Sequence, residues 1–245
     1  MIPRIFVGID KIENKTALLE GSDVNYIKNV LRLKVGDEIS IMDGRSKEYS
    51  SKIITMEKDR VKALLIKEKT PRAEPSVKVT IAQGIPKNPK MELIVQKATE
   101  LGAFSIIPVK TERSIVKIRE EKEESKMSRW QKIAKEAAEQ SGRSSVPLIE
   151  QVRSIKDVLE LSGSYAKSII LWEMEKETTF KKFLKENKSI KSLLVLIGPE
   201  GGFSHDEVEL AKRQGFVTVT IGNRILRTET ASLAALSMID YEFEL

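Results

Sequence analysis

The stretch Leu193–Glu207, LLVLIGPEGGFSHDE, determines how the rest of the chain is interpreted. Its continuous aliphatic start is typical of a strand buried on both faces of a parallel sheet. Ser204 and Glu207 have the spacing of a capping box, so a helix is predicted to begin directly after the glycine-rich loop. A strand, a loop and a helix in this order predict a ligand site at the carboxyl edge of the sheet.

The glycine-rich loop Gly198–Gly202 does not match known phosphate-binding loops. It has neither the GxxxxGK[ST] nor the GxGxxG spacing, and Glu200 would repel a phosphate at close range. Pro199 removes one amide donor and stiffens the loop. These features favour a ligand with positive charge, such as S-adenosylmethionine, and the alternative is a tight turn with a solvent-facing glutamate.

Composition argues against several kinds of protein. The chain has no cysteine and one histidine, so neither disulfide bonds nor a metal site is expected. No apolar run approaches the ~20 residues that span a bilayer, and the N-terminus does not resemble a signal peptide. We therefore expect a cytoplasmic protein without membrane contact, and its net charge of +6 suits a polyanionic partner.

The chain changes pattern near residue 70. Residues 1–70 contain short alternating runs between turn signals, which predict a small β-barrel with one short helix. Residues 67–76, KEKTPRAEPS, contain two prolines and alternating charge and are predicted to be a linker. In residues 76–245 strands alternate with helices, which predicts an α/β domain with a mostly parallel sheet.

The individual elements follow from the periodicity of apolar residues. In the short helix, Asp23 is the predicted cap and Ile27, Val30 and Leu31 share the predicted buried face. The predicted strands are 4–7, 38–42, 52–56, 61–66, 77–81, 104–109, 168–172, 193–197 and 216–221, and the longer predicted helices are 90–101, 128–141 and one at the C-terminus.

A second strand-to-helix junction, Ile221–Ala231, has the sequence IGNRILRTETA. Arg224, Arg227 and Glu229 give this junction more charge than a purely structural loop needs. Thr228 or Thr230 is predicted to cap the final helix. Two charged or glycine-rich loops at successive strand ends favour a functional site over a pair of tight turns.

Together, LIGPEGGFSxxE and IGNRILRTETA resemble the motifs of bacterial 16S ribosomal RNA methyltransferases that modify uracil N3, a family of the SPOUT superfamily. The resemblance covers nearly the whole chain, including Pro3–Phe6, Lys97–Gly102 and Glu136–Ser141. It implies an N-terminal PUA-like RNA-binding barrel and a C-terminal SPOUT α/β domain with a deep trefoil knot. It further implies a homodimer that uses S-adenosylmethionine to methylate a specific uridine at N3 in 16S rRNA of the small ribosomal subunit.

The resemblance also implies which residues form the site. Arg227 would stabilise the uracil anion, because a guanidinium is always charged and offers several donors. Glu229 is a weaker candidate for the base, and its alternative role is a salt bridge at a helix N-terminus. Glu200 either faces the cofactor or accepts from a backbone amide. The cofactor is expected to be held by loops at Leu171, Gly198, Glu200, Gly201, Ile221, Gly222, Leu226 and Ala231.

Eight cations are predicted to hold RNA phosphates. For each of them alone, a solvated surface charge is the alternative, and Trp130 is predicted to be a core residue and not a base-stacking platform. The predicted phosphate contacts are Arg4, Arg32, Lys87, Lys90, Arg113, Lys117, Arg129 and Arg143.

Two other functions stay open from the sequence. A SPOUT methyltransferase could act on another RNA target, such as a ribose 2′-OH. A basic RNA-binding assembly factor without catalysis would bind ribosomal particles but not the cofactor. A nucleotide-binding oxidoreductase is excluded because its GxGxxG fingerprint is missing.

Overall fold

The computed structural model describes residues 2–44, 47–69, 74–87, 89–114 and 120–244. The chain forms two compact units, Met1–Glu74 with Ala138–Val146, and Pro75–Ala137 with Pro147–Leu245. The sequence pattern did not indicate that residues 138–146 belong with the first unit, because they read as the end of a helix and the loop after it. Residues 70–73 of the predicted linker lie outside the described residues.

The first unit is rich in β-structure, as predicted. Its strands form one sheet of order β1-β4-β5-β6-β3-β2, in which β1 pairs parallel with β4 and the other pairs are antiparallel. Closure of this sheet into a barrel stays a prediction. The elements are β1 Arg4–Phe6, β2 Ile12–Glu13, β3 Thr16–Glu20, α1 Ser22–Asn25, β4 Glu38–Met42, β5 Glu48–Met56 and β6 Arg60–Lys69, with a 3₁₀ turn at Ile9–Lys11 and a π-helical turn at Tyr26–Val30.

The π-helical turn explains why the predicted face of the short helix was partly wrong. Ile27 is fully buried, but Val30 is 62% exposed. The turn closes with a bond from the Leu31 amide to the Tyr26 carbonyl, five residues back, so side chains do not follow a period of 3.6. The residue that precedes the helix is Gly21 and not the predicted cap Asp23.

The second unit has the predicted parallel sheet. The order is β10-β8-β7-β12-β11-β13, β9 also pairs with β8, and every pair among the described strands is parallel. In β12, Leu193 to Ile197 are all buried, which is the physical reason for their continuous apolar run. The strands are β7 Lys78–Gly84, β8 Ser105–Lys110, β9 Leu148–Ile149, β10 Arg153–Ser154, β11 Lys167–Leu171, β12 Ser192–Ile197 and β13 Val217–Val219.

Helices follow the strands of this unit. In the first helix Met91, Ile94, Val95 and Ala98 are fully buried, as the apolar spacing predicted. The helices are α2 Lys90–Glu100, α3 Glu123–Ser141, α4 Ile155–Glu160, α5 Phe180–Glu186, α6 His205–Arg213 and α7 Thr228–Phe243, with 3₁₀ turns at Glu120–Lys122 and Leu161–Ser164. Short elements such as α4, α5, β9 and β10 were not predicted, since a few residues show no clear period.

The order of the strands positions the ligand site. The strands β12, β11 and β13 are neighbours and run parallel, so the loops after their carboxyl ends emerge at one edge of the sheet. These loops are residues 172–178, 198–203 and 220–227. The mixed α/β fold class is therefore confirmed, and the trefoil knot stays a prediction.

Candidate functional site

A cavity of about 840 Å³ lies between the three loops. Its volume is within the ~300–1,000 Å³ range of small-molecule sites. Both loops that the sequence analysis singled out contribute to its wall. The lining includes every residue that was predicted to hold the cofactor, namely Leu171, Gly198, Glu200, Gly201, Ile221, Gly222, Leu226 and Ala231.

The glycines of the first loop are required by close backbone packing. A Cβ at Gly198 would lie 3.2 Å from the backbone of Gly202, and Gly202 has φ +65°. A Cβ at Gly84, the last residue of β7, would lie 2.6 Å from the backbone nitrogen of Pro199. The loop therefore folds tightly on itself and against the end of β7, which only glycine permits without displacement.

Glu200 turns from this loop towards the segment before α2. Its Oε1 accepts from the Lys87 amide at 3.1 Å and lies 3.2 Å from Lys90 Nζ. Burial raises the pKa of Glu200, but hydrogen bonds from its own amide and from Lys87, together with Lys90, outweigh burial and lower the pKa below its ordinary value. Glu200 was expected either to face the cofactor or to accept from a backbone amide. The structure shows the hydrogen bond from the backbone amide, and the residue also lines the cavity.

Lys90 joins this loop to the start of α7. Its Nζ also lies 3.3 Å from Glu229 Oε2, an ion pair without an aligned hydrogen bond to that oxygen. The hydrogen bond with Glu200 is the main reason why the pKa of Lys90 is raised. Glu229 thus makes the salt bridge at a helix N-terminus that was its alternative role, and its side chain is 14% exposed.

Arg227 is the residue that precedes α7, and its side chain lines the cavity. The side chain is exposed, and no hydrogen bond or ion pair engages its guanidinium within the part of the chain that the structure describes. The prediction that Thr228 or Thr230 caps α7 was wrong, because the cap position is Arg227, whose side chain forms no capping hydrogen bond among the described residues. The Thr228 hydroxyl instead donates to the Gly198 carbonyl at 2.6 Å.

The loop after β11 is held by a carboxylate that the sequence analysis missed. Glu175 Oε1 accepts from three successive amides, those of Lys176, Glu177 and Thr178, at 2.8–3.1 Å. Its other oxygen accepts from the hydroxyl of Thr218. Burial raises the pKa of Glu175, but these hydrogen bonds outweigh burial and lower it. Only the fold brings β13 close enough to supply Thr218, so no sequence signal marked this role.

Trp172 forms an aromatic part of the cavity wall. The ring of His205 meets it edge-on, with centroids 5.6 Å apart, and Lys212 Nζ lies 5.4 Å from the ring centroid. The single histidine therefore supports a wall residue in this structure. Trp130, in contrast, is 2% exposed, as expected of a core residue.

In the first unit, two of the predicted phosphate contacts are engaged by protein groups. Arg4 donates to the Gly142 carbonyl at 2.8 Å and pairs with Glu48 at 3.2 Å. Arg143 is 9% exposed and pairs with Glu74. Arg32 is exposed, has φ +54°, and forms no ion pair with the described residues.

In the second unit, the predicted phosphate contacts also differ in their surroundings. Arg129 pairs with Glu92 at 2.8 Å, and Arg113 donates to the Gly201 carbonyl at 3.2 Å. The exposed side chain of Lys87 forms no ion pair within the described segments. Lys117 lies outside the described residues.

Two further searches of the structure gave no site. No group of three or more His, Cys, Asp or Glu residues that could hold a metal ion occurs among the described residues. In the same part of the chain, no helix is long and apolar enough to cross a membrane.

Comparison with protein families gives the class of the protein. Residues 73–240 match the RNA methyltransferase domain, and residues 19–66 match the RNA methyltransferase PUA domain. A curated relative, ribosomal RNA small subunit methyltransferase E of Bacillus subtilis (strain 168), is 40% identical, and the match covers 99% of this chain and 97% of the relative.

Solved structures agree with this comparison. The ribosomal RNA small subunit methyltransferase E of Neisseria gonorrhoeae, crystallised with bound S-adenosyl methionine, is 31% identical with a TM-score of 0.88 over 99% of this chain and 98% of that one. A methyltransferase from Legionella pneumophila in complex with S-adenosylmethionine is 30% identical, with a TM-score of 0.89 over 98% of both chains. The chain belongs to the family of ribosomal RNA small subunit methyltransferase E, and the predicted family is confirmed.

Proposed function

We propose that this protein transfers a methyl group from S-adenosylmethionine to N3 of a specific uridine in 16S rRNA of the small ribosomal subunit. The observation that carries the proposal is the cavity at the carboxyl edge of β11, β12 and β13, bordered by the guanidinium of Arg227, which pairs with no group among the described residues. Relatives over the full length of the chain are named for methylation of small-subunit ribosomal RNA. The enzyme acts in the cytoplasm, where ribosomes are assembled.

The residues present fit this cofactor. A Cβ at Gly222 would meet no atom of the described residues within 4 Å, so the backbone there is open to a ligand, and φ of +154° favours glycine. Trp172 and Leu171 supply apolar surface, whereas Glu173 adds an exposed carboxylate that suits a cationic ligand. When bound, the cofactor supplies an electrophilic methyl group on its sulfonium. The loops after β11, β12 and β13 would hold it through the residues predicted for that role.

Arg227 and Glu229 act on the uracil. Uracil N3 carries a proton and becomes a good nucleophile only when that proton is lost. The donors of Arg227 stabilise the negative charge that then spreads over O2 and O4, and its guanidinium is free to turn towards a base. Glu229 stays the weaker candidate for the acceptor of the proton, and its carboxylate pairs with Lys90, which lines the cavity.

RNA binding is shared between the two proposed domains, a PUA-like domain of residues 1–70 and a methyltransferase domain of residues 76–245. The first candidates for phosphate contacts are exposed cations that have no carboxylate partner among the described residues, namely Arg32, Lys87 and Arg113. The cations that pair with glutamates must give up these partners to bind phosphate. Lys117 stays a candidate from the sequence.

The protein is a homodimer that uses the exposed face of α7. Leu236 and Ile239 of this helix are buried, whereas the apolar side chains of Met238 and Tyr241 on its other side are 38% and 72% exposed. A second copy of the chain would cover this face. Light scattering at micromolar concentration tests this, and a clean monomer would overturn it.

The activity test uses methyl-labelled S-adenosylmethionine and small ribosomal subunits that lack the modification. After digestion of the RNA, label in 3-methyluridine is the expected result. Label in a 2′-O-methyl nucleoside would refute N3 as the target. Binding to the particles without binding of the cofactor would refute catalysis and favour an assembly factor.

Variants of the proposed catalytic residues sharpen the test. We expect Arg227→Ala to lower kcat by about 100-fold or more, because a preorganised donor to a developing anion is lost. Arg213→Ala removes an exposed arginine that does not line the cavity, and it should leave kcat unchanged. Equal rates of the two variants would contradict the role of Arg227.

A further inference from the structure

A buried chain of hydrogen bonds connects three elements at the wall of the cavity. Gln83 lies near the end of β7, Thr228 is the first residue of α7, and Ser232 follows one turn later. Gln83 and Ser232 are fully buried, and Thr228 is 5% exposed. The chain ends on the carbonyl of Gly198, which lines the cavity in the glycine-rich loop.

The direction of the hydrogen bonds is fixed by the number of protons. Gln83 Nε2 donates one proton to the Gly84 carbonyl at 2.9 Å and the other to Thr228 Oγ1 at 2.8 Å. The Thr228 hydroxyl therefore has its own proton for the Gly198 carbonyl, at 2.6 Å. Ser232 Oγ shares its one proton between Gln83 Oε1 and the Thr228 carbonyl, 3.1 Å away, which completes the chain.

We infer that Thr228 is a positioning residue for methyl transfer. Its hydroxyl fixes the position of the glycine-rich loop relative to the first turn of α7. The inference rests on the proposed function, because that loop lines the cofactor cavity and the turn carries Arg227 and Glu229. The Thr228 hydroxyl thus connects the loop that lines the cofactor cavity to the helix turn with the groups proposed to act on the uracil. Thr228 also lines the cavity, but its hydroxyl proton is taken by the Gly198 carbonyl.

Neighbouring groups offer only a weak substitute for this hydroxyl. In the wild type both protons of Gln83 Nε2 are used, and in a variant without the hydroxyl the released proton would reach the Gly198 carbonyl only at 3.5 Å, the limit of a hydrogen bond. Replacing Thr228 by valine keeps the shape of the side chain but leaves the Gly198 carbonyl and one proton of Gln83 without a close partner. Buried polar groups without partners are costly, so the loop is expected to move.

The experiment compares four full-length variants by calorimetry with S-adenosylmethionine. For Thr228→Val we expect binding that is about tenfold weaker, whereas Thr228→Ser keeps the hydroxyl and should bind within about twofold of the wild type. Ser232→Ala removes the start of the chain and should weaken binding about threefold. Thr99→Val is the matched control, since Thr99 is also fully buried on a helix and bonds to the Val95 carbonyl, but does not line the cavity.

A second measurement distinguishes positioning from general stability. In thermal unfolding, Thr228→Val and Thr99→Val should lower the melting temperature by similar amounts, yet only Thr228→Val should lose cofactor affinity. In steady-state assays, Thr228→Val should also lower kcat, because Arg227 and Glu229 lose their alignment, and Thr228→Ser should restore it.

Wild-type affinity in folded Thr228→Val would overturn the inference and leave the proposed function intact. If Thr228→Val does not fold, the cofactor affinity of Ser232→Ala tests the inference instead. Unchanged binding of that variant would overturn the inference. Absence of cofactor binding in the wild type would instead refute the proposed function.

Discussion

Replacing Gly84 by alanine tests whether the cavity depends on the close approach between β7 and the glycine-rich loop. A Cβ at this position would lie 2.6 Å from both N and Cδ of Pro199, and 3.0 Å from the carbonyl carbon of Gly198. Non-bonded carbon atoms prefer about 3.5 Å, so the loop would have to move by roughly 1 Å. Its backbone cannot rotate away as the end of a flexible side chain can.

The expected loss follows from this displacement. Overpacking of a tight contact costs about 1–3 kcal/mol, which lowers the melting temperature of a protein of this size by about 3–10 °C. Misplacement of reacting groups by about 1 Å lowers rates by about 100-fold. We expect folded Gly84→Ala to bind S-adenosylmethionine about tenfold more weakly and to lose activity by about 100-fold.

Calorimetry and thermal unfolding are the assays, and Gly163→Ala is the matched control. Gly163 lies in the 3₁₀ turn Leu161–Ser164, and a Cβ there would meet no atom within 4 Å. That variant should unfold and bind the cofactor as the wild type does. Wild-type binding by Gly84→Ala would show that contact with β7 does not determine the position of the loop, and would refute the reasoning.

Three further predictions concern charged side chains. Hydrogen bonds outweigh burial and lower the pKa of Glu175 in the folded protein below its ordinary 4.5. The ionised carboxylate therefore stabilises the fold above pH 4.5, and this stabilisation is lost as the pH falls through the lower pKa of the folded state. The difference in melting temperature between the wild type and Glu175→Gln should therefore be present at pH 7 and shrink as the pH falls below 4.5, and a constant difference would contradict this. Arg143→Met leaves half-buried Glu74 without its guanidinium and should lower the free energy of unfolding in urea by about 3 kcal/mol. Unchanged stability would show that the pair is not structural. Lys90→Met should weaken cofactor binding, because Lys90 anchors Glu200, but should leave the salt dependence of RNA affinity unchanged. A slope reduced by about 0.9 would instead identify Lys90 as a phosphate contact.

Sequence pattern over a few residues was sufficient to predict the structural features that depend only on neighbours along the chain. The capping box of Ser204 and Glu207 is formed as predicted, with both reciprocal hydrogen bonds. The buried faces of α2 and β12 also follow directly from the spacing of their apolar residues. The motifs at Gly198–Gly202 and Ile221–Ala231 therefore identified the family and the loops of the cavity before the fold was known.

The roles of the polar side chains in these loops were decided by tertiary structure. Thr228 was expected to cap α7, yet its partners are Gln83, which is 145 residues away, and the Gly198 carbonyl. The carboxylate of Glu200 bonds to the Lys87 amide across 113 residues. Short-range pattern contains no information about such partners, because they meet only when parallel strands bring distant loops to one edge.

The sequence by itself thus determined the family, the class of fold and the loops that form the cavity, since hydrophobic period and glycine placement are local properties of the chain. Only the tertiary structure decided which carboxylates and hydroxyls hold those loops, and that residues 138–146 pack with the first unit. It also decided that Lys90 is paired, whereas Arg227 has no partner in the part of the chain that the structure describes. The physical reason is that a polar side chain can bond to many partners, and the fold alone selects the one within reach.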